Sequence, residues 1–292
     1  MAERIPINQL RDEFPDLELI NHVSTGGQKA VYRAKNDTGE DIVLKILSVE
    51  SREQAQRASR EVEAMNRIGN SKLVDLKDSF EKRINDDLYF IMIEDYIEGE
   101  TLRDIIDMGE YSIDLGIKVI TDLIDVLCEF HEEKIVHRDI KPSNIIVTPD
   151  GKITLLDVGI ARFLSKSTLT PSFRPHAPGT YPYSAPEQLE NEKQLQDCRT
   201  DLFSVGIVMY ESITGHNPFD VEGMSIPRAI QSGEKSDLQL RGVDEELNER
   251  LAKIFHNLTE KEPYQRYRKP EFVIEDINKL YDDNEINDRD TY

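Results

Sequence analysis

The stretch of this chain richest in chemically active side chains is HRDIKPSNIIV, at residues 137–147. It places Asp139, Lys141 and Asn144 within six residues, so that an anion, a cation and an amide are close in sequence. In one cavity, Asp139 could orient a hydroxyl nucleophile, Lys141 could neutralise a phosphoryl group and Asn144 could ligate a metal ion. Pro142 disfavours a helix here, so we predict that these side chains project from a loop.

A second candidate group follows in LLDVGIAR, where Asp157 lies thirteen residues after Asn144. Asp157 ends an apolar segment that we predict to be a strand, and the flexible Gly159 comes shortly after it. A carboxylate at a strand end, beside an amide oxygen, is a suitable ligand for Mg²⁺. The turn PDG joins the two segments as a tight hairpin, so we expect Asn144 and Asp157 to face the same ion.

Together these motifs resemble those of eukaryotic-like Ser/Thr protein kinases. HRDIKPSN is similar to the catalytic loop of that family, and DVG is similar to its metal-binding DFG motif, with Val158 in place of Phe. APE at 185–187 and DLFSVG at 201–206 also match, and the resemblance covers roughly residues 15–281. It implies a two-lobed α+β kinase fold, ATP and Mg²⁺ as cofactors, and phosphoryl transfer to Ser or Thr hydroxyls of protein substrates.

The elements that would position these residues change in character along the chain. Alternating apolar residues predict mostly strands before residue 95, interrupted by one helix that is capped by Ser51 and Gln54 and stopped by Gly69. Beyond residue 100 the periodicity is helical, and a long buried helix comes first. We therefore predict an α+β fold with a cleft between a β-rich and a helical lobe. The resemblance implies a single protein kinase domain over residues 1–292, with an N-lobe at about 15–96, a hinge at about 95–99, a C-lobe at about 100–281 and an acidic tail at 282–292.

Lys45 lies in the middle of the predicted strand IVLKIL. An arbitrary strand lysine more often faces solvent, but a charge between apolar neighbours is costly unless it is paired. At about 100° per residue, Glu61 lies on the apolar face of the helix after this strand, whereas Glu63 lies opposite. By resemblance, Lys45 and Glu61 are the ion pair that positions the α- and β-phosphates of ATP. The apolar face consists of Ala55, Ala58, Val62, Met65 and Ile68.

The segment STGGQKAV, at residues 24–31, separates two strand-like runs. Two glycines in this setting usually indicate a plain hairpin. By resemblance it is the loop that covers the phosphates of ATP, with Gly26 and Gly27 among the nucleotide-binding residues and Val31 over the adenine. Only Gly26 keeps a motif glycine, because Ser24 stands in the place of the first and Lys29 in the place of the third. Lys29 could add positive charge near the phosphates, or the loss of glycine could weaken nucleotide binding.

The segment IMIEDYIEGETL, at residues 91–102, resembles the hinge between kinase lobes. In this alignment Glu94 takes the gatekeeper position, where a charged residue is unusual for the family, and Asp95 begins the hinge. The Asp95 carbonyl and the Ile97 amide would bond the adenine edge, and Ile146 would lie beneath the base.

The segment at residues 160–184 resembles an activation segment and is rich in hydroxyl groups. Arg138 would be the cation that receives a phosphate placed there. Thr180 resembles the threonine that contacts the catalytic Asp and Lys, and Lys141 together with Thr180 favours Ser or Thr over Tyr as the acceptor. We further expect Asp201 to cap a helix and tie down the catalytic loop, and Arg266 to form an ion pair with Glu187.

The composition limits the partners. A net charge of −21 argues against nucleic acid or an anionic membrane as a general ligand, and it is compatible with basic protein partners. Acidic residues at 98–114 are most simply a solvated face, with a docking site for basic peptide as the alternative.

No apolar run approaches the ~18 residues of a membrane span, and the N-terminus lacks an apolar signal core. Cys128 and Cys198 match no metal or redox spacing, so we expect a reducing, cytoplasmic compartment. Nothing in the sequence indicates an oligomeric state.

Two alternatives to a protein kinase remain open. The loss of loop glycines and the presence of Val158 would suit a pseudokinase that acts as an interaction scaffold. Against it, all the family's key side chains are present: Lys45, Glu61, Asp139, Lys141, Asn144 and Asp157. The other alternative is a small-molecule kinase with the same core, but the segment PGTYPYSAPE favours a platform for a peptide substrate.

Overall fold

The structure is a computed structural model, and it describes residues 5–26, 29–65, 67–156, 181–240 and 242–282. The described residues fall into two compact units, an N-terminal unit at residues 5–98 and a C-terminal unit formed by residues 99–156 and 181–282. The first is built on a β-sheet and the second is mostly helical, which confirms the predicted α+β fold class.

The N-terminal unit contains a five-stranded antiparallel sheet in the order β1-β2-β3-β5-β4. The three central strands β2, β3 and β5 carry the runs of buried residues expected of strands that are covered on both faces, whereas the edge strands β1 and β4 bury little besides Leu19 and Ile84. Its elements are α1 (Ile7–Glu13), β1 (Glu18–Gly26), β2 (Lys29–Lys35), β3 (Asp41–Ser48), α2 (Arg52–Met65), β4 (Leu76–Ile84) and β5 (Asp87–Asp95).

Helices cover the two faces of this sheet. On one face, Ala55, Ala58 and Val62 of α2 pack against apolar residues of β3 and β5. On the other, Leu10 of α1 packs with Tyr32 and its neighbours, and the Tyr32 hydroxyl donates to the Ile5 carbonyl at 2.8 Å. The apolar face predicted for α2 is therefore confirmed for Ala55, Ala58, Val62 and Met65, whereas Ile68 lies beyond the end of the helix and is half-buried. Helix α1 was not predicted, because its short sequence INQLRDE has too few apolar residues to show a period.

The boundaries of α2 differ slightly from the prediction. The Ser51 hydroxyl accepts from the Gln54 backbone N–H, but the Gln54 side chain accepts from the N–H of Glu50 rather than returning to Ser51. The helix also ends at Met65, one turn before the predicted stop at Gly69. Helix ends are set by local hydrogen bonds that periodicity does not specify.

The C-terminal unit has a small antiparallel sheet, ordered β6-β7-β8, and a helical core. The PDG turn joins β7 to β8, and the Thr148 N–H donates to the Lys152 carbonyl at 3.0 Å. The elements are β6 (Glu100–Thr101), α3 (Leu102–Asp107), α4 (Ile113–Glu132), β7 (Ile145–Val147), β8 (Ile153–Leu155), α5 (Pro186–Leu189), α6 (Cys198–Thr214), α7 (Ile226–Ser232), α8 (Glu245–Leu258) and α9 (Pro270–Asp282).

Helix α6 is the centre of this unit. It is buried almost all round, and it packs against α4 and α8. The close approach to α8 requires a glycine, because a Cβ on Gly206 would lie 2.6 Å from Cγ2 of Thr259 and 2.8 Å from Cβ of Leu258. Among the helices that the structure describes, none is both long and apolar enough to cross a bilayer.

Candidate functional site

The N-terminal unit brings four of the highlighted residues to one face of its sheet. Val31 pairs with Lys45, and Lys45 pairs with Met92, in ladders that have no register shift. Paired residues share a face, and so do residues two apart in a strand. Lys29, Val31, Lys45 and Glu94 therefore lie on the same face, which is also the face that α2 covers.

Lys45 is buried, with its Nζ paired to the Glu94 carboxylate. The side chains are only 5% and 3% exposed, so each charge is shielded from water and needs the other. Sequence reasoning placed Glu94 at the gatekeeper position without joining it to Lys45. Both residues lie in predicted strands, but they are 49 positions apart in the chain. The pairing depends on which strands are neighbours in the sheet, and the sequence pattern does not show that.

Helix α2 presents two glutamates with different surroundings. Glu61 is half-buried and Glu63 is exposed, which agrees with the predicted orientation of the helix. The Glu63 carboxylate accepts from the Ser59 hydroxyl at 3.4 Å, along the solvent face. The pairing of Glu61 with Lys45 stays a prediction.

In the C-terminal unit, helix α6 binds the backbone of the loop that precedes β7. The Asp201 carboxylate accepts from the backbone N–H groups of His137 and Arg138, each at 2.7 Å, and Asp201 is fully buried. Arg138 has a φ of 66°, a left-handed conformation that a non-glycine residue adopts only at a cost. The predicted tie between Asp201 and the loop is confirmed. The cap of α6 is Asp197 instead, because the helix begins four residues earlier than expected.

The loop gathers the three side chains that were singled out first. Lys141 Nζ lies 2.9 Å from Asp139 Oδ2, and the Asn144 amide donates to the same oxygen at 3.0 Å and to the Asp139 carbonyl at 2.9 Å. Asp139 and Lys141 are 17% and 16% exposed as side chains, so both remain within reach of a bound molecule. The site therefore combines an oriented carboxylate with an adjacent cation.

The same contacts orient the Asn144 amide. Because its nitrogen donates to Asp139, its Oδ1 is the end that can ligate a metal ion. The Leu156 N–H donates to the Asn144 carbonyl at 2.7 Å, which brings the end of β8 beside the start of β7. Asp157, the second predicted metal ligand, follows Leu156 and lies outside the described residues.

A buried ion pair supports the segment after the loop. Arg266 donates to both carboxylate oxygens of Glu187 at 2.8 and 2.9 Å, with exposures of 0% and 1%, and the Thr200 hydroxyl also donates to Glu187. The predicted pair is thus confirmed. The neighbouring Gln188 side chain donates to the Arg138 carbonyl at 3.1 Å, so the segment is tied directly to the catalytic-loop backbone.

A second polar group stands beside this segment. The Tyr183 hydroxyl donates to Glu211 at 2.6 Å, and Arg103 donates to the other carboxylate oxygen at 2.7 Å. Burial, and then the Glu211 charge, raise the pKa of Tyr183, so the phenol stays protonated as a donor. Sequence reasoning missed this group, because its three members come from separate parts of the chain.

The remaining predicted site residues are described only in part. Gly26 and Lys29 pair across the β1–β2 turn, which confirms the hairpin. Asp95 ends β5, Ile97 is half-buried in the segment after it, and Ile146 is buried in β7. Outside the described residues lie Gly27, Val158, Gly159, Thr180, the Ser and Thr hydroxyls at residues 165–172 and the tail beyond residue 282.

Comparison with known proteins gives consistent matches. The family model of the protein kinase domain matches residues 17–276. A probable serine/threonine-protein kinase of Clostridium perfringens is 32% identical over 275 residues, 91% of this chain and 38% of that protein. Serine/threonine-protein kinase PrkC of Bacillus subtilis is 28% identical over 277 residues, 93% of this chain and 41% of that protein. A probable serine/threonine-protein kinase PknB of Bifidobacterium longum is 34% identical over 208 residues, 68% of this chain and 30% of that protein.

The chain thus spans about two fifths of the length of the first two relatives. The family match begins after α1 and contains every site residue named above, from Gly26 to Arg266.

Proposed function

Because this chain belongs to the protein kinase domain family, we propose that it transfers the γ-phosphoryl group of ATP to Ser or Thr hydroxyls of protein substrates. The observation that carries this proposal is the arrangement around Asp139, whose carboxylate is held by Lys141 and Asn144 on a loop tied to Asp201. That arrangement suits the orientation of a hydroxyl nucleophile next to a positive charge.

In the proposed reaction the substrate hydroxyl lies against Asp139, which orients it and accepts its proton. The hydroxyl oxygen forms a bond to the γ-phosphorus as the bond from phosphorus to the bridging oxygen of ADP breaks. Lys141 neutralises negative charge on the transferring group, and Lys45 holds the α- and β-phosphates. Most of the catalysis is then positioning and charge neutralisation by groups that are oriented before the reaction.

The residues fit a divalent metal ion. Asn144 Oδ1 and the Asp157 carboxylate would hold Mg²⁺, and both are oxygen donors of the kind that this ion prefers. When bound, the ion supplies charge neutralisation to the phosphate oxygens. The contacts of the Asn144 nitrogen with Asp139 support this role, because they orient the amide oxygen away from that carboxylate.

For the rest of the nucleotide we keep the assignments that the resemblance implies. Gly26, Gly27 and Lys29 would cover the phosphates. Val31 and Ile146 would enclose the adenine, and the Asp95 carbonyl and the Ile97 amide would bond its edge. The shared sheet face of Val31 and Lys45 supports the part of this assignment that lies in the N-terminal unit.

Protein substrates with basic surroundings would suit the net charge of −21. The acidic residues at 98–114 are exposed, as a docking site for a basic peptide requires: Glu98, Glu100, Asp104, Asp107, Glu110 and Asp114. We also propose a reducing, cytoplasmic environment for this domain, since Cys128 and Cys198 are both free thiols.

The test is incubation of the chain with Mg-ATP and a basic protein rich in Ser and Thr, followed by mass spectrometry of the peptides. We expect phosphoserine or phosphothreonine, and its loss in Asp139→Asn. The matched control is Glu63→Gln, a carboxylate-to-amide change on the exposed face of α2, which should keep the parent rate. Folded parent protein that binds nucleotide but forms no phosphopeptide would instead support the scaffold alternative.

A further inference from the structure

The ion pair between Lys45 and Glu94 lies within one sheet. Strands β3 and β5 are hydrogen-bonded neighbours, and their register runs without interruption from the pair Ile42 and Asp95 to the pair Ser48 and Tyr89. Lys45 lies opposite Met92, so Glu94 is its diagonal neighbour on the same face. Diagonal neighbours of this kind are within reach of a long side chain such as lysine. The contact is therefore determined by the sheet itself.

The predicted partner Glu61 lies on a helix rather than on a strand of the same sheet. It projects from α2, which rests on the sheet through small apolar contacts of Ala55, Ala58 and Val62. Glu61 is half-buried, whereas Glu94 is only 2% exposed. A helix that packs on a sheet can shift relative to it, whereas two adjacent strands in a continuous ladder keep their register.

We propose that Glu94 is a positioning residue, which holds the Lys45 ammonium at the place where it meets the phosphates of the nucleotide. This inference rests on the proposed function, since it assigns a positioning residue to the lysine that would hold the phosphates. An ammonium has three N–H donors, so the bond to Glu94 leaves two that can serve other acceptors, Glu61 and phosphate oxygens among them. Lys45 would then stay oriented by its own sheet even when α2 moves.

The pair also explains why a charge is accepted at position 94. A buried carboxylate is costly without a cation, and a buried ammonium is costly without an anion. Loss of the Glu94 charge would leave Lys45 with a weaker hold on its position. We expect the position of the ammonium to change, and with it the contacts between Lys45 and phosphate. The backbone of Asp95, which would bond the adenine, keeps its strand pairing.

The experiment compares the affinities for Mg-ADP and for adenosine, measured by calorimetry on the whole chain. Glu94→Gln keeps the size of the side chain and removes its charge. We expect it to weaken Mg-ADP about tenfold, the value of one charged hydrogen bond, and to change adenosine less than about twofold. Glu61→Gln should weaken Mg-ADP less than Glu94→Gln does. Glu63→Gln, the matched exposed control, should change neither ligand.

Two further variants separate positioning from a general structural effect. In a Lys45→Met background, Glu94→Gln should have no additional effect on Mg-ADP, because the group that Glu94 positions is absent. Glu94→Asp keeps the charge on a shorter side chain, so it should restore part of the Mg-ADP affinity. If Glu94→Gln does not fold, Glu94→Asp still tests the proposal, because it should lose affinity for Mg-ADP while keeping affinity for adenosine.

Several results would overturn the proposal. These are unchanged or tighter Mg-ADP binding in both Glu94 variants, an equal loss of adenosine, or the same loss when Lys45 is already methionine. A parent protein that transfers phosphate normally while the variants give any of these results would contradict only the role of Glu94. A parent that binds no nucleotide would contradict the proposed function as well.

Discussion

Asp201→Asn tests how the catalytic loop is positioned. Both carboxylate oxygens of Asp201 accept a backbone N–H, from His137 and from Arg138, at 2.7 Å. Asparagine keeps one acceptor oxygen and replaces the other by an NH₂ group, which would face an N–H donor. One charge-assisted hydrogen bond is lost, and a buried donor is left without its acceptor. From these two effects we expect the free energy of unfolding to fall by about 2–4 kcal/mol.

The effect on catalysis should be larger than on nucleotide affinity. Asp139 follows directly after Arg138, so a loop that has lost its tie misplaces the carboxylate that orients the substrate hydroxyl. A misplacement of about 1 Å costs roughly 100-fold in rate. We therefore expect kcat to fall about 100-fold, with KM for ATP changed by much less, because the lysine that we assign to the phosphates lies in the other unit.

The assay is the initial rate of phosphopeptide formation, together with unfolding in urea to measure stability. Asp197→Ala is the matched control, because Asp197 caps the same helix and makes no contact with the loop among the bonds described for it. It should lose about 1 kcal/mol of stability and keep the parent kcat. If Asp201→Asn is folded and its kcat stays within twofold of the parent, the argument that Asp201 positions Asp139 is refuted.

Three further predictions concern other parts of the chain. Leu10→Ala should lower the free energy of unfolding by about 2–5 kcal/mol in a urea titration and leave kcat unchanged, because Leu10 is fully buried under the sheet. Burial, and then nearby carboxylates, raise the pKa of Cys128 and of Cys198 to about 12, so iodoacetamide at pH 8 should alkylate the native thiols at least about 100-fold more slowly than thiols in urea, and the rate should rise as pH approaches the pKa. Lys29→Ala should raise KM for ATP about tenfold, less so at high salt, and Lys29→Gly should raise it less because it restores backbone freedom; parent-like KM in both would remove Lys29 from the site.

Much of the fold and of the chemistry could be predicted from the sequence, because both depend on local order. The spacing of Asp139, Lys141 and Asn144 is a property of one loop, and the structure keeps them in contact. Likewise, helical periodicity was enough to separate Glu61 from Glu63, since the face of a helix repeats over a few residues. Strand alternation was similarly sufficient to indicate the β-rich unit before the helical one.

The partners of the buried charges depended on tertiary structure. Lys45 finds Glu94 because β3 and β5 are neighbours in a sheet whose order departs from chain order, and the two residues are 49 positions apart. Asp201 accepts a hydrogen bond from the backbone of His137, which is 64 positions away in the chain, because α6 packs beside the loop. A local pattern records which face a residue occupies, but it does not record which distant element covers that face. A buried charge must still be satisfied, so its partner is set by the packing that excludes water from both.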